Sequence, residues 1–243
     1  MAREKYTRII HTFDSLADSY GGPEGLEEVN RRRLAPLAAK FSGRILDVGC
    51  GSGTFMDKYF DPPRHFLVSA DFSINMIMVA LERMMDEFPG GGFAFVHALA
   101  QALPFPDAAF DAVVCINTVH NMPSWKDVED AVGEMCRVLK PEGKMLLEFR
   151  NIDNPERKRI TQLYDWPHLP QKAFEYTAMR RLLEKNNVVV DTKIPLFGDR
   201  PGRLSLTDAG KSGLLGGRAP RLAVIATKSP AFSSFLGDEK HGD

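Results

Sequence analysis

Cysteine is scarce: three residues in 243, at positions 50, 115 and 136, too few and too scattered for a disulfide framework or a zinc site. Cys115 and Cys136 sit in apolar stretches and read as small core residues. Long hydrophobic runs are missing as well. No window approaches the ~20 apolar residues of a membrane span, and the opening MAREKYTRIIHTF has no secretory apolar segment. These absences lead us to expect a protein of the reducing cytoplasm with no membrane partner. Nor does charge of one sign dominate. The formal net charge is −1, which disfavours bulk attraction to nucleic acid or to an anionic membrane. The local basic runs Arg31-Arg32-Arg33 and Arg157-Lys158-Arg159 read as solvated helix faces. What is present, 44% hydrophobic and 26% charged residues, is the make-up of a globular chain long enough to bury a substantial core.

From Phe41 onward, strand-like and helix-like patterns alternate. Arg44–Val48 is apolar and ends at glycine, and Phe66–Ala70 ends at Asp71; both read as buried strands. Ser73 is placed to cap a helix running to about Phe88, with Ile74, Ile77, Met78, Leu81 and Met85 at helical spacing on its core face. Strands follow at Phe93–Ala98 and Phe110–Ile116. Ser124 and Asp127 open a helix to about Leu139, Pro141-Glu142-Gly143 reads as a turn, and Lys144–Phe149 as the next strand. Alternation of this kind predicts parallel strands with crossover helices, a doubly wound sheet covered on both faces. Residues 1–40 read as helical. Beyond Phe149 the pattern predicts helices over 154–164 and Thr177–Asn186, strands at Val188–Val190 and Leu222–Thr227, and a long glycine- and arginine-rich segment over 198–220. The last residues, 229–243, read as a flexible tail.

In a doubly wound sheet, ligands sit beyond the carboxyl ends of the strands where strand order reverses. Residues 45–55, ILDVGCGSGTF, place Gly49, Gly51 and Gly53 there. The dinucleotide pattern fails, because its third glycine would fall at Thr54, and no phosphate-binding G-x-x-x-x-G-K-[S/T] loop occurs. Asp47 beside the loop would repel pyrophosphate. It suits either a ligand ending in an ammonium group or a bracing role toward loop N–H groups. Asp71 closes the second strand 24 positions later, about the spacing at which an acid reads a ribose diol, and Phe72 beside it could flank a flat ring.

ILDVGCGSG resembles the first motif of the class I S-adenosylmethionine-dependent methyltransferases, of the type 11/25 kind. VSADFSINMI is similar to the family's second motif, and ALAQALPFPDAAFDAVVCINTVHNM and MCRVLKPEGKMLLEF resemble its later segments in order and spacing. FDSLADSY resembles the stretch seen ahead of many such domains. The resemblance covers roughly Phe13 to Phe149. It implies an α/β fold: a Rossmann-like, doubly wound, seven-stranded and mostly parallel sheet with an antiparallel last strand and helices on both faces. It divides the chain into an N-terminal helical cap (1–40) and an S-adenosylmethionine-binding domain (41–228), with 151–187 and 198–220 as acceptor-side or lid segments. The implied cofactor is S-adenosyl-L-methionine, leaving as S-adenosyl-L-homocysteine, without a metal.

Carried over by position, Gly49, Cys50, Gly51 and Gly53, with Asp47, would hold the methionine part, and Tyr20 would close over it. Asp71 would hold the ribose, and Phe72 and Met76 would line the adenine pocket. Ala100 and Gln101 would contact the adenine edge, and Asn117 would lie near the methyl group. One departure stands out. The family often has an acid at the position of Leu99, so a backbone carbonyl or Gln101 must supply that adenine contact, or affinity falls. Direct displacement from a sulfonium needs alignment, exclusion of water and, for some acceptors, a base. His120 is the candidate catalytic base and acceptor contact. Arg150 and Asn151 follow the fifth strand, and Tyr164, Trp166 and His168 lie in an aromatic stretch assigned to the acceptor pocket. The Asn/Asp-Pro-Pro-Tyr motif of amino-group DNA methyltransferases is absent, which turns the expectation from DNA to a small-molecule acceptor with an O, N or C nucleophile. A non-catalytic scaffold that binds the cofactor and acts through a protein partner is the alternative.

Overall fold

The computed structural model describes residues 2–20, 26–154, 169–170, 172–196 and 219–230. Two helices lead, α1 (Ala2–Leu16) and α2 (Leu26–Ala38). There follow β1 (Gly43–Val48), β2 (His65–Asp71), α3 (Ile74–Glu87), β3 (Phe93–His97), β4 (Phe110–Cys115), α4 (Trp125–Val138), β5 (Leu139–Arg150), α5 (Tyr176–Lys185), β6 (Val188–Leu196) and β7 (Arg221–Lys228). All seven strands form one sheet in the order β3-β2-β1-β4-β5-β7-β6. The ladders from β3 to β5 are parallel, and β7 runs antiparallel between β5 and β6. The doubly wound sheet with a reversed last strand is therefore present, and strand order reverses between β1 and β4.

Period-two alternation divides the strand side chains between two cores. Leu46, Val48, Val113, Cys115, Met145 and Leu147 pack with α4 and α5 on one face. Ile45, Ala112, Val114 and Leu146 pack with α2, α3 and the Phe55–Phe60 segment on the other. Both interior helix caps read from the sequence are made: Ser73 Oγ accepts the Met76 N–H at 3.1 Å, and Ser124 Oγ accepts the Asp127 N–H at 3.2 Å. A third small cluster sets α1 across the strand ends, joining Ile9, Phe13 and Ala17 to Met76. Ser73 Oγ also donates to Asp14 Oδ1 at 2.5 Å, tying α1 to the start of α3.

The core face of α3 is not the one read from the sequence: Met76, Ile77, Ala80 and Met84 are buried, whereas Ile74, Met78 and Met85 are exposed, the face being rotated toward α1 and the sheet. Several boundaries differ as well. The strand expected to begin at Lys144 begins at Leu139 and passes through the expected turn. Its pairing with β4 jumps from Phe110↔Leu139 to Ala112↔Lys144, and Glu142 takes φ +63°, so the turn survives as an irregularity inside the strand. β6 extends past Val190 to Leu196 despite Asp191, Lys193 and Pro195. It is an edge strand with an irregularity between Val190 and Thr192, where polar residues and proline are tolerated. The basic run 31–33 is not uniformly solvated: the Arg31 side chain is buried and paired with the buried Glu28 at 3.0 Å, while Arg32 is exposed. The helix expected over 154–164 lies outside the described residues except for Asn154. So do Tyr164, Trp166 and His168, the 198–220 segment up to its last two residues, and the tail beyond Pro230. Among the described residues no helix is long and apolar enough to cross a membrane.

Candidate active site

The ends of β1, β2 and β4 meet at the order reversal, and their loops are tied to one another. The Gly49 and Cys50 N–H groups both donate to the Ala70 carbonyl, at 2.7 and 3.2 Å. Gly49 has φ +73°, and a Cβ on it would lie 2.3 Å from the Thr118 side chain, so this glycine seats the loop after β4. Gly51 has φ +54° and, among the described residues, faces the Tyr20 ring, 3.7 Å from where its Cβ would stand. Asp71 is buried and braces the turn: Oδ2 accepts from Gly51 N–H and Oδ1 from Ser73 N–H, each at 2.9 Å.

Two cavities open at this junction. The first is lined on one side by Asp47, Gly49, Cys50, Gly51, Asp71, Phe72 and Met76, and on the other by Asn117, Thr118, Glu148 and Arg221. Phe13, Tyr20, Asn30 and Arg31 from the N-terminal helical region complete it. The second is mostly apolar and is lined by Tyr6, Ile9, Leu99, Ala100 and Gln101, among others. Gly49, Asp71, Phe72, Thr118 and Asn121 line both, so the two are arms of one cleft that bends at Asp71. Met76, expected beside Ala100 and Gln101, lines the first arm. Gly53 lines neither and packs against Ala80 of α3. Gln101 Nε2 donates to Tyr6 Oη at 2.5 Å, and Tyr6 Oη donates to Asp127 Oδ1 at 2.5 Å. Leu99 is exposed at the second arm.

Burial dominates the electrostatics of the first arm. Asp47, 3% exposed, has the Tyr59 hydroxyl as a distant donor at 3.3 Å. Desolvation, opposed by that hydroxyl and reinforced by Asp71, pushes its carboxyl up to about 7. Desolvation also raises Asp71 to about 6, against the Ser73 and Gly51 N–H groups that hold it down. On the far wall, Arg221 Nη1 donates to Glu148 Oε1 at 3.0 Å and to Asn117 Oδ1 at 2.6 Å. Asn117 Nδ2 donates to Tyr20 Oη at 2.9 Å and Asn117 N–H to Glu148 Oε2 at 2.7 Å. Tyr20, placed by the sequence over this end, is thus fastened to the ends of β4, β5 and β7.

The acceptor candidates separate. His120 is 1% exposed, sits just beyond Thr118 and Val119, and lines neither arm. Among the described residues its Nδ1 has no hydrogen-bond partner. Burial and then the Arg150 and Arg221 guanidiniums push its pKa well below the ordinary value, so the ring is neutral at pH 7. Arg150 is half-buried and pairs across the ladder with Arg221. Asn151 is buried and structural: its Nδ2 donates to the Ala219 carbonyl at 2.9 Å and its Oδ1 accepts Asp153 N–H at 3.2 Å. Asn30, Arg31, Thr118, Glu148 and Arg221 were not singled out from the sequence. Glu148 and Arg221 did leave a signal, as charges inside apolar strands, KMLLEFR and APRLAV.

Residues 46–147 match the family model described as a methyltransferase domain. Over 176 residues the chain is 31% identical to the ubiquinone/menaquinone biosynthesis C-methyltransferase UbiE of Hahella chejuensis, a match covering 69% of this chain and 70% of that relative. The chain belongs to the class I S-adenosylmethionine-dependent methyltransferases. It spans about two thirds of the length of the curated relatives it matches. Solved methyltransferases share the fold. One, in complex with the Haloferax volcanii Trm112 activator, superposes with a TM-score of 0.66 at 16% identity, over 89% of this chain and 97% of that one. Magnesium protoporphyrin IX methyltransferase from Synechocystis PCC 6803, solved with bound SAH, superposes with a TM-score of 0.63 at 12% identity, over 93% and 94%. The relatives are enzymes, so a scaffold without turnover is not favoured for this methyltransferase.

Proposed function

We propose that this methyltransferase moves the methyl group of S-adenosylmethionine to a carbon nucleophile on a small, electron-rich ring of the hydroquinone class. The observation that carries the acceptor is the identity, 31% over 176 residues, to a C-methyltransferase named for ubiquinone and menaquinone biosynthesis. The bent cleft supports the cofactor reading. Its first arm holds groups of both charge signs for an amino-acid end, its second is apolar enough for a base, and Asp71 stands at the bend where a ribose diol would lie. S-adenosylmethionine supplies an activated methyl group on a sulfonium. The chain's residues then bind, orient and exclude water.

Asp71 accepts both ribose hydroxyls through the lone pairs that the Gly51 and Ser73 N–H groups leave over. Gln101, its amide nitrogen engaged by Tyr6, offers the amide oxygen to the adenine amino group in place of the acid missing at Leu99. Tyr20 and Phe13 shield the methionine end from water. His120, neutral at pH 7 and adjoining Asn121, which lines both arms, is assigned the proton that a phenolic acceptor releases as its ring carbon attacks; because His120 itself lines neither arm, that proton passes to it through an intervening group. The remaining acceptor contacts are assigned to Arg150 and to the 155–168 stretch that bears Tyr164, Trp166 and His168. The enzyme works without a metal, in the cytoplasm.

The test is incubation with methyl-tritiated S-adenosylmethionine and a reduced 1,4-naphthoquinone lacking a ring methyl. Label in the organic extract, located on a ring carbon by mass spectrometry, is expected. Turnover only with amine or carboxylate acceptors would overturn the carbon assignment.

A further inference from the structure

Asn30 on α2 is 3% exposed and lines the first arm of the cleft, yet among the described residues neither its amide nitrogen nor its amide oxygen has a hydrogen-bond partner. A buried carboxamide with both ends unsatisfied is costly, and folded proteins keep such groups where a ligand completes them. Its surroundings specify that ligand. Arg31, next in the chain and also buried, lines the same arm, and so does Asp47 across it. A cation, an anion and a group that both donates and accepts, lining one arm of the cleft, match a zwitterion.

We infer that Asn30 is the residue that selects the α-amino-acid head of the cofactor: its amide nitrogen donates to the α-carboxylate and its amide oxygen accepts from the α-ammonium. Arg31 and Asp47 supply charge of each sign, and Asn30 supplies direction, because a carboxamide serves both groups only in one orientation. This inference rests on the S-adenosylmethionine reading of the cleft. It adds that the enzyme distinguishes cofactors by their heads through α2, outside the glycine loop.

Calorimetric titration of the full chain with S-adenosylhomocysteine and with 5′-methylthioadenosine, which lacks the amino-acid head, tests it. Wild type is expected to prefer S-adenosylhomocysteine. In Asn30→Leu that ligand should weaken about 10- to 100-fold, the scale of hydrogen bonds to charged groups, while 5′-methylthioadenosine binds as before. The ligand-free variant should melt higher, because an unsatisfied amide has been replaced by an apolar side chain of similar size. Equal weakening of both ligands, or of neither, would overturn the inference. If Asn30→Leu fails to fold, Asn30→Asp serves: losing the donor and gaining a negative charge should shift preference toward decarboxylated S-adenosylmethionine, and an unchanged ratio would overturn the role. Wild-type binding of neither sulfur ligand would refute the cofactor reading itself. Binding with selectivity intact in the variants would refute only Asn30.

Discussion

Replacing Asp47 by asparagine should make the ligand-free enzyme more stable and the cofactor complex weaker. Asp47 is 3% exposed with a hydroxyl 3.3 Å away as its donor, so its ionised form is poorly compensated. Its carboxyl is raised from the ordinary 3.8 to about 7. The folded state therefore holds this proton more tightly than the unfolded chain does. Between pH 4 and pH 7 folding takes up a proton, so the contribution of Asp47 to stability is full below pH 4 and declines as pH rises to 7. At 1.36 kcal/mol per pH unit, the loss reaches about 4 kcal/mol above pH 7. Asparagine keeps the shape and removes the charge. For a domain of this size the gain at pH 8 corresponds to a melting temperature higher by on the order of 10 °C.

Other groups titrate in the same range, which dictates the form of the assay. Asp71, raised to about 6, acts in the same sense, and the buried neutral His120 acts oppositely as pH falls below its ordinary value. Both persist in the variant. The informative quantity is thus the difference between wild type and Asp47→Asn, by scanning calorimetry at pH 5 and pH 8. That difference should grow from about 2 kcal/mol at pH 5 to about 4 kcal/mol at pH 8. S-adenosylhomocysteine should meanwhile bind the variant about 10- to 100-fold more weakly at pH 8, because the ammonium end loses its counter-charge. A variant no more stable than wild type at pH 8 would mean that Asp47 is compensated in solution. Undiminished affinity would return Asp47 to bracing the loop, its other sequence reading.

Asp71→Ala should lower S-adenosylhomocysteine affinity at least 100-fold by titration calorimetry, since two charge-assisted ribose contacts go with the carboxylate; unchanged affinity would move the ribose elsewhere. His120→Ala should slow methyl transfer about 100-fold or more while the cofactor dissociation constant stays within twofold. An unaltered rate would assign the ring to packing behind Thr118. Glu148→Leu should cost about 3–5 kcal/mol in urea denaturation by stranding Arg221, and Glu148→Leu/Arg221→Met should recover most of it. Independent, additive effects would show that the 3.0 Å pair is not maintained in solution.

What could be read from the sequence divides by the range of the physics involved. β1 and β4 were legible because strands covered on both faces are continuous apolar runs, and the starts of α3 and α4 because a serine caps its own helix within three residues. Asp47 and Asp71 were legible because strand, turn and acid are consecutive. Asn30 and Arg31 were not: LEEVNRRRLAPLA is polar through most of its first half, and only the packing of Leu34, Ala35 and Ala38 on the sheet turns that half into the cleft. Nor could local sequence join Glu148 to Arg221, 73 positions apart, because their contact depends on β7 entering antiparallel beside β5 with Phe149 opposite Leu222. Each of those two charges nevertheless interrupts an apolar strand near the end that faces the cleft. A buried strand tolerates a charge only where something pairs with it. In a doubly wound sheet the carboxyl ends of the parallel strands border the ligand crevice. Read together, those two rules would have placed Glu148 at the site from KMLLEFR alone, and would have demanded a cation from a neighbouring strand before any contact was known.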